Sequence, residues 1–141
     1  MEEMQFKVNV MPCNGIGRLS STIVRQAGYI LKKMRPDQVE LLSANALAVG
    51  EEEEMARLKK HPVLVIDACR PHCASELAKQ LGVKPASSLY VADVAAVKKI
   101  GLTGEKRRGL GKRGMELAEA VAQKAAEEVD RIIADEMLST L

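Results

Sequence analysis

The sequence predicts a three-layer α/β fold built around a doubly wound, mostly parallel sheet of about four strands. Short segments rich in β-branched and aliphatic residues alternate along the chain with segments whose apolar residues recur at helical spacing. Residues 63–66 form an unbroken apolar run, which is typical of a strand buried on both faces of a parallel sheet. Right-handed crossovers then place helices on both faces and favour the strand order 2-1-3-4. This pattern indicates a flavodoxin-like or Rossmann-like fold.

Local signals predict the individual strands and helices. The predicted strands occupy residues 6–11, 39–42, 63–66 and 87–91. The predicted helices occupy residues 19–34, 51–60, 71–81, 93–100 and 115–138. The first helix ends before Pro36, because proline disfavours helical geometry at the residue that precedes it. The second begins with four acidic residues and ends with two lysines, the order that the helix dipole favours. Pro71 is expected to open the third helix and Gly82 to stop it.

The C-terminal part of the chain combines a basic loop with a long helix. Residues 101–114 hold five glycines and five basic residues, and we expect a mobile basic loop there. The loop either folds over a ligand crevice and binds a phosphate or carboxylate, or it serves as a solvated connector. The helix predicted for residues 115–138 spans about 36 Å, which is longer than a sheet of this size needs. Its overhang would suit a homodimer.

Length and composition indicate a single domain, residues 1–141. With 47% hydrophobic and 28% charged residues, the chain has the balance of a globular protein. Two tyrosines, one phenylalanine and no tryptophan leave little for stacking on bases, so we expect no nucleic-acid partner. No segment approaches the roughly 20 apolar residues of a membrane span, and Glu2 and Glu3 stand where a signal peptide carries basic residues. We therefore expect a cytoplasmic protein without membrane contact.

The three cysteines are the candidate functional residues. In a reducing compartment, an odd number of cysteines favours metal or redox chemistry over a disulfide framework. Cys13 follows the first predicted strand, and Cys69 and Cys73 follow the third. Because the carboxyl ends of neighbouring parallel strands meet at one edge of the sheet, we expect the three thiols to converge there. The helix starts beside them are expected to lower the pKa of these thiols. The sequence thus predicts a thiolate site for a soft metal ion such as zinc.

Three thiolates leave one position of a tetrahedral zinc site unassigned. Asp67, His72, Ser43 or a water molecule could fill it, and a side chain not used as a ligand could support the others. The loop between the first strand and the first helix is predicted to bind a small anionic ligand. Its anion-binding residues would be Asn14, Gly15, Gly17 and Arg18.

Two segments carry the most specific pattern of the chain, PCNGIG at residues 12–17 and VIDACRPHC at residues 65–73. In these segments the chain resembles the DGC domain family, whose members are described as zinc-binding, and the resemblance runs over most of residues 5–100. It implies a similar fold and a metal site but no particular reaction. Ala68 stands where the motif that names the family has glycine. The family's zinc assignment rests on four cysteines, and Leu42 or Ser43 replaces the one near the end of the second strand, which excludes four-thiolate coordination within one chain.

Two enzyme hypotheses use the same thiols. In the first, Cys13 is the nucleophile of a phosphatase-like or arsenate-reductase-like enzyme, and loop amides hold an oxyanion. Four residues separate Cys13 from Arg18 where those enzymes have five, which argues against this hypothesis. In the second, a thiol redox enzyme, Cys13 attacks and Cys69 or Cys73 resolves through a disulfide. The sequence identifies no general base or cofactor fingerprint, so it leaves open whether the protein is an enzyme.

Overall fold

A computed structural model describes residues 6–13, 15 and 17–141 of the chain. The strands are β1 (Val8–Pro12), β2 (Val39–Leu41), β3 (Val63–Asp67) and β4 (Ser87–Tyr90). The helices are α1 (Leu19–Met34), α2 (Ala44–Ala48), α3 (Glu52–Lys60), α4 (Cys73–Gln80), α5 (Val91–Lys98) and α6 (Lys112–Ser139). All strand pairs are parallel and the order is β2-β1-β3-β4, which confirms the predicted topology.

Helices cover both faces of the sheet, as its alternating side chains require. On β3, Leu64 and Ile66 belong to the apolar cluster that α1 and α6 complete, whereas Val63 and Val65 belong to the cluster that α2, α3 and α4 complete. All four side chains are almost completely buried. The unbroken apolar run that predicted a central strand therefore reflects burial on both faces.

Helix α6 is the largest element on one face and packs along α1. On the side of α6 that faces the core, several alanines lie between larger aliphatic residues. The alanines let the backbones of α1 and α6 approach closely. Its buried residues are Gly114, Leu117, Ala118, Val121, Ala122, Ala125, Ala126, Val129, Ile132 and Ile133. Beyond Ile133 every residue of the helix is exposed, including Met137 and Leu138. The predicted overhang is present, and its use in a homodimer stays a prediction.

Several predicted boundaries were wrong. Helix α4 begins at Cys73 rather than Pro71, and α6 begins at Lys112 and ends at Ser139, so two basic residues assigned to the loop belong to the helix. The five-residue helix α2 was not predicted at all. Within the described residues, no helix combines the length and the apolar character needed to cross a membrane.

Candidate functional site

Cys13 lies directly after β1 and is tied to the neighbouring strand. Its backbone amide donates a hydrogen bond of 2.9 Å to the carbonyl of Ile66, near the end of β3. The side chain is 6% exposed and belongs to the apolar cluster under α1. Its Sγ atom lies 4.0 Å from the hydroxyl oxygen of Ser21. The first thiol is therefore held at the same sheet edge from which the Cys69–Cys73 segment departs.

Asp67, the last residue of β3, organises the segment that follows it. The residue is 1% exposed. One carboxylate oxygen accepts a 3.2 Å hydrogen bond from the backbone amide of Ser75, and the other accepts one from the Ser75 hydroxyl. That second oxygen also lies 3.3 Å from Nδ1 of His72. Since Ser75 is in the first turn of α4, Asp67 caps this helix from an adjacent strand.

His72 has an unusual backbone conformation. It immediately precedes α4 with φ 50° and ψ 50°, in the left-handed region. For a residue with a Cβ atom this conformation costs about 1–2 kcal/mol, so the surrounding structure must hold it. The His72 amide donates 2.9 Å to the carbonyl of Cys69, which closes a tight turn. Its ring meets the Tyr90 ring edge-on, with centroids 4.7 Å apart.

Cys69 and Cys73 differ in their surroundings. Cys69 is half-buried, whereas Cys73 is exposed at the first residue of α4. Burial raises the pKa of the Cys69 thiol, and the negative charges of Cys13, Cys73 and Asp67 raise it further, while Arg18 lowers it. The expectation of a lowered pKa was therefore wrong for Cys69. Because α4 starts four residues later than Cys69, burial and neighbouring anionic groups outweigh any favourable dipole.

The three thiols share one edge of the sheet without forming a closed cage. Cys13 and Cys73 both lie close enough to Cys69 for their charges to act on its titration. As the side chains are placed, however, no three His, Cys, Asp or Glu residues among the described ones are grouped tightly enough to hold a metal ion. Binding would therefore require thiol side chains to rotate. Of the three cysteines, Cys69 and Cys73 reach the surface, whereas Cys13 is buried.

Ser43, another candidate for the fourth coordination position of the predicted zinc site, already has a structural role. Its hydroxyl oxygen accepts a 3.2 Å hydrogen bond from the amide of Ala46 and so caps α2. Its own amide donates 2.6 Å to the carboxylate of Glu54. Ser43 and Cys13 line the same cleft of about 160 Å³, together with Arg25. Ser43 thus lies near Cys13, but its hydroxyl oxygen is engaged in capping α2.

The predicted anion-binding loop is only partly described, because Asn14 lies outside the described residues. Gly15 is exposed, and a Cβ atom there would lie 2.9 Å from the Ser21 hydroxyl oxygen, so a larger residue would require the Ser21 side chain to move. Arg18 is exposed and precedes α1, and its side chain does not cap that helix. The carbonyl oxygen of Gly17 accepts a hydrogen bond from the guanidinium of Arg107. Anion binding by this loop stays a prediction.

Part of the basic segment docks beside this loop, a contact that sequence reasoning missed. The guanidinium of Arg107 donates 3.1 Å to the carbonyl of Gly17, and the Thr22 hydroxyl donates 3.0 Å to the carbonyl of Arg107. Within the segment, the Glu105 carboxylate accepts a 2.6 Å hydrogen bond from the amide of Gly111, the residue before α6. Two of these hydrogen bonds hold Arg107 against the rest of the chain, and the predicted mobility of the segment stays a prediction. In the sequence, the one sign of a folded turn at Arg107 is the nearby glycine, Gly109.

The fold and the site together define a class of protein: a parallel α/β domain that collects three cysteines at the carboxyl edge of its sheet. A family model described as the DGC domain matches residues 9–129, so the chain belongs to the DGC domain family. No curated protein sequence and no solved structure shows significant similarity to the chain.

Proposed function

We propose that the protein binds a soft metal ion, zinc in the first instance, through Cys13, Cys69 and Cys73. The observation that carries the proposal is the hydrogen bond between the Cys13 amide and the Ile66 carbonyl. It joins the end of β1 to the end of β3, so thiols more than fifty residues apart in sequence lie at one edge. Thiolate sulfur is a preferred ligand of zinc.

The electrostatics of the edge fit a cation. The charges of Cys13, Cys73 and Asp67 each disfavour ionisation of Cys69. A divalent cation held between the sulfur atoms would reverse this repulsion, since thiols bind metal ions as thiolates and release their protons. Cys13 would act as the anchored ligand, and Cys69 and Cys73 would rotate to meet the ion.

Metal content tests the proposal directly. Protein prepared without a metal-affinity tag is analysed for zinc, and its zinc affinity is measured by competition with a chelator. We expect about one zinc ion per chain, and a loss of affinity of roughly tenfold or more in Cys69→Ser and in Cys73→Ser. Ser88→Ala, an exposed substitution on β4, serves as the control and should bind like the wild type.

Equal zinc affinity in the wild type and both cysteine variants would overturn the proposal. The thiol redox alternative makes a different prediction for the same preparations: no bound metal, and a reversible disulfide involving Cys69 or Cys73. Thiol counting under oxidising and reducing conditions, with mass spectrometry of the oxidised peptides, distinguishes that result. The oxyanion-handling alternative would instead show phosphate or arsenate binding that Cys13→Ser abolishes.

A further inference from the structure

A cleft of about 440 Å³ opens between β4, α5 and α6, and none of the three cysteines lines it. Three aliphatic side chains, Leu89, Val94 and Val97, contribute to its lining. Val97 is the most open of them, with 79% of the residue exposed. The cleft thus presents apolar surface to solvent, and contiguous apolar surface of this kind marks a contact site for a partner.

A second exposed apolar surface lies at the end of α6. Residues 134–139 continue the helix for about 9 Å beyond Ile133, its last buried residue. In this overhang Met137 is 51% exposed and Leu138 is 66% exposed. The overhang cannot fill the cleft of its own chain while α6 stays helical. Leu138 follows Glu127, the last cleft residue on α6, by about 16 Å along the same axis.

We propose that these two surfaces cover each other in a homodimer. The α6 helices of two copies pack antiparallel, and Leu138 of each copy enters the cleft of the other. A two-fold axis makes the two contacts identical, so the assembly closes at two chains. This inference uses neither the cysteines nor a metal ion and is therefore independent of the function proposed above.

One side of α6 joins the cleft to the overhang. Residues three and four positions apart lie on the same side of a helix, and a series with this spacing runs from the cleft to the overhang. The first three members line the cleft, the next two are exposed, and the last is the apolar residue of the overhang. The series is Ala120, Lys124, Glu127, Arg131, Ala134 and Leu138. The dimer therefore needs no surface beyond this strip and the cleft beside it.

Charges along the strip are complementary in the antiparallel arrangement. When Leu138 of one copy lies beside Ala120 of the other, the same register sets Glu127 opposite Arg131 of the second copy. Symmetry forms this oppositely charged pair twice. Lys124 then faces the small, uncharged Ala134, so no two like charges of the strip oppose each other. Exposed charge pairs of this kind fix the register of an interface more than they add affinity, which here comes from the apolar contacts.

Light scattering coupled to size-exclusion chromatography tests the proposal on the full chain over a concentration series. Val97→Glu places a charge in the cleft and Leu138→Glu places one in the overhang, both at exposed positions that the fold tolerates. Val49→Glu is the matched control. Val49 is likewise an exposed valine, at 83%, but it follows α2, which covers the other face of the sheet.

We expect the wild type and Val49→Glu to have twice the mass of one chain. In Val97→Glu and Leu138→Glu the dissociation constant of the dimer should rise roughly tenfold or more, because each substitution acts at both symmetric contacts. Circular dichroism should show the same helix content in all four proteins. A wild type that stays monomeric overturns the proposal and leaves the cleft to a ligand other than this chain.

The register has a separate test. Ala120→Cys combined with Leu138→Cys should form a disulfide between chains on oxidation, identified by mass spectrometry of the linked peptides, whereas Val49→Cys combined with Leu138→Cys should not. A dimer that both glutamate substitutions leave intact, or one cross-linked through position 49 instead of position 120, would overturn the assigned surface.

Discussion

Removal of the Asp67 carboxylate is expected to destabilise the protein strongly, because a single buried side chain joins β3 to the start of α4. In Asp67→Ala, the Ser75 amide loses its acceptor in the first turn of the helix, and the Ser75 hydroxyl loses its partner as well. Loss of a helix cap costs about 1 kcal/mol, and loss of a hydrogen bond to a charged group costs about 1.5 kcal/mol or more. The free energy of unfolding should therefore fall by about 2–3 kcal/mol. For a chain of 141 residues this corresponds to a melting temperature lower by about 6–10 °C.

Urea unfolding followed by circular dichroism measures this effect. Asp37→Ala is the control, because Asp37 is exposed in the turn after α1 and its loss should change stability by less than about 0.5 kcal/mol. Ser75→Ala removes the hydroxyl bond alone and should cost about 1 kcal/mol. In the double variant Asp67→Ala/Ser75→Ala the two losses should not add, because they share one interaction. A loss in Asp67→Ala no larger than in Asp37→Ala, or full additivity in the double variant, would refute the role assigned to Asp67.

Three further predictions concern ionisation and packing. Zinc affinity should increase as pH rises through and above neutrality, because the pKa of Cys69 is raised and the ion competes with its proton; chelator competition at several pH values measures this. Gly114→Ala should destabilise the protein by about 1 kcal/mol in urea, although alanine favours helices, because the added Cβ atom would collide with the Glu105 carboxylate. Asp130→Asn should cost only about 0.5 kcal/mol, because Asp130 is exposed and its partner Arg35 is only half-buried. Since Arg35 holds the pKa of Asp130 below its usual value, this contribution is present at neutral pH and is lost on acidification below about pH 4.

Each of these predictions has a control and an opposite outcome. Zinc affinity that stays constant over the pH series would mean that no thiol proton is released on binding. Gly101→Ala, with no neighbouring atom near the added Cβ, should be almost neutral, and a stabilised Gly114→Ala would show that Glu105 moves aside freely. An Asp130→Asn variant that still loses as much stability as the wild type between about pH 5 and pH 2 would exclude the contribution of this pair to acid sensitivity.

The strand order was predictable because its determinants are local. The apolar run of β3 marks the central strand, and each crossover contains a helix whose apolar spacing is visible in the sequence. The start of α4 was not predictable in this way. Pro71 favoured an earlier start, but the Asp67 side chain caps the helix from a neighbouring strand and His72 takes a left-handed conformation. Helix α2 was missed because five residues are too few to show a helical period, although Ser43 is a typical cap.

By itself, the sequence determined the chemical character of this protein: three thiols placed after two strands that a parallel sheet makes neighbours. It could not determine the role of each polar side chain, because hydrogen-bond partners depend on distances between residues far apart in the chain. Only the tertiary structure decided that Asp67 and Ser43 are engaged in capping helices, that Arg107 docks on Gly17, and that Nδ1 of His72 lies beside the Asp67 carboxylate. Burial and neighbouring charge likewise decided the direction of the Cys69 pKa, which a helix start alone would have lowered.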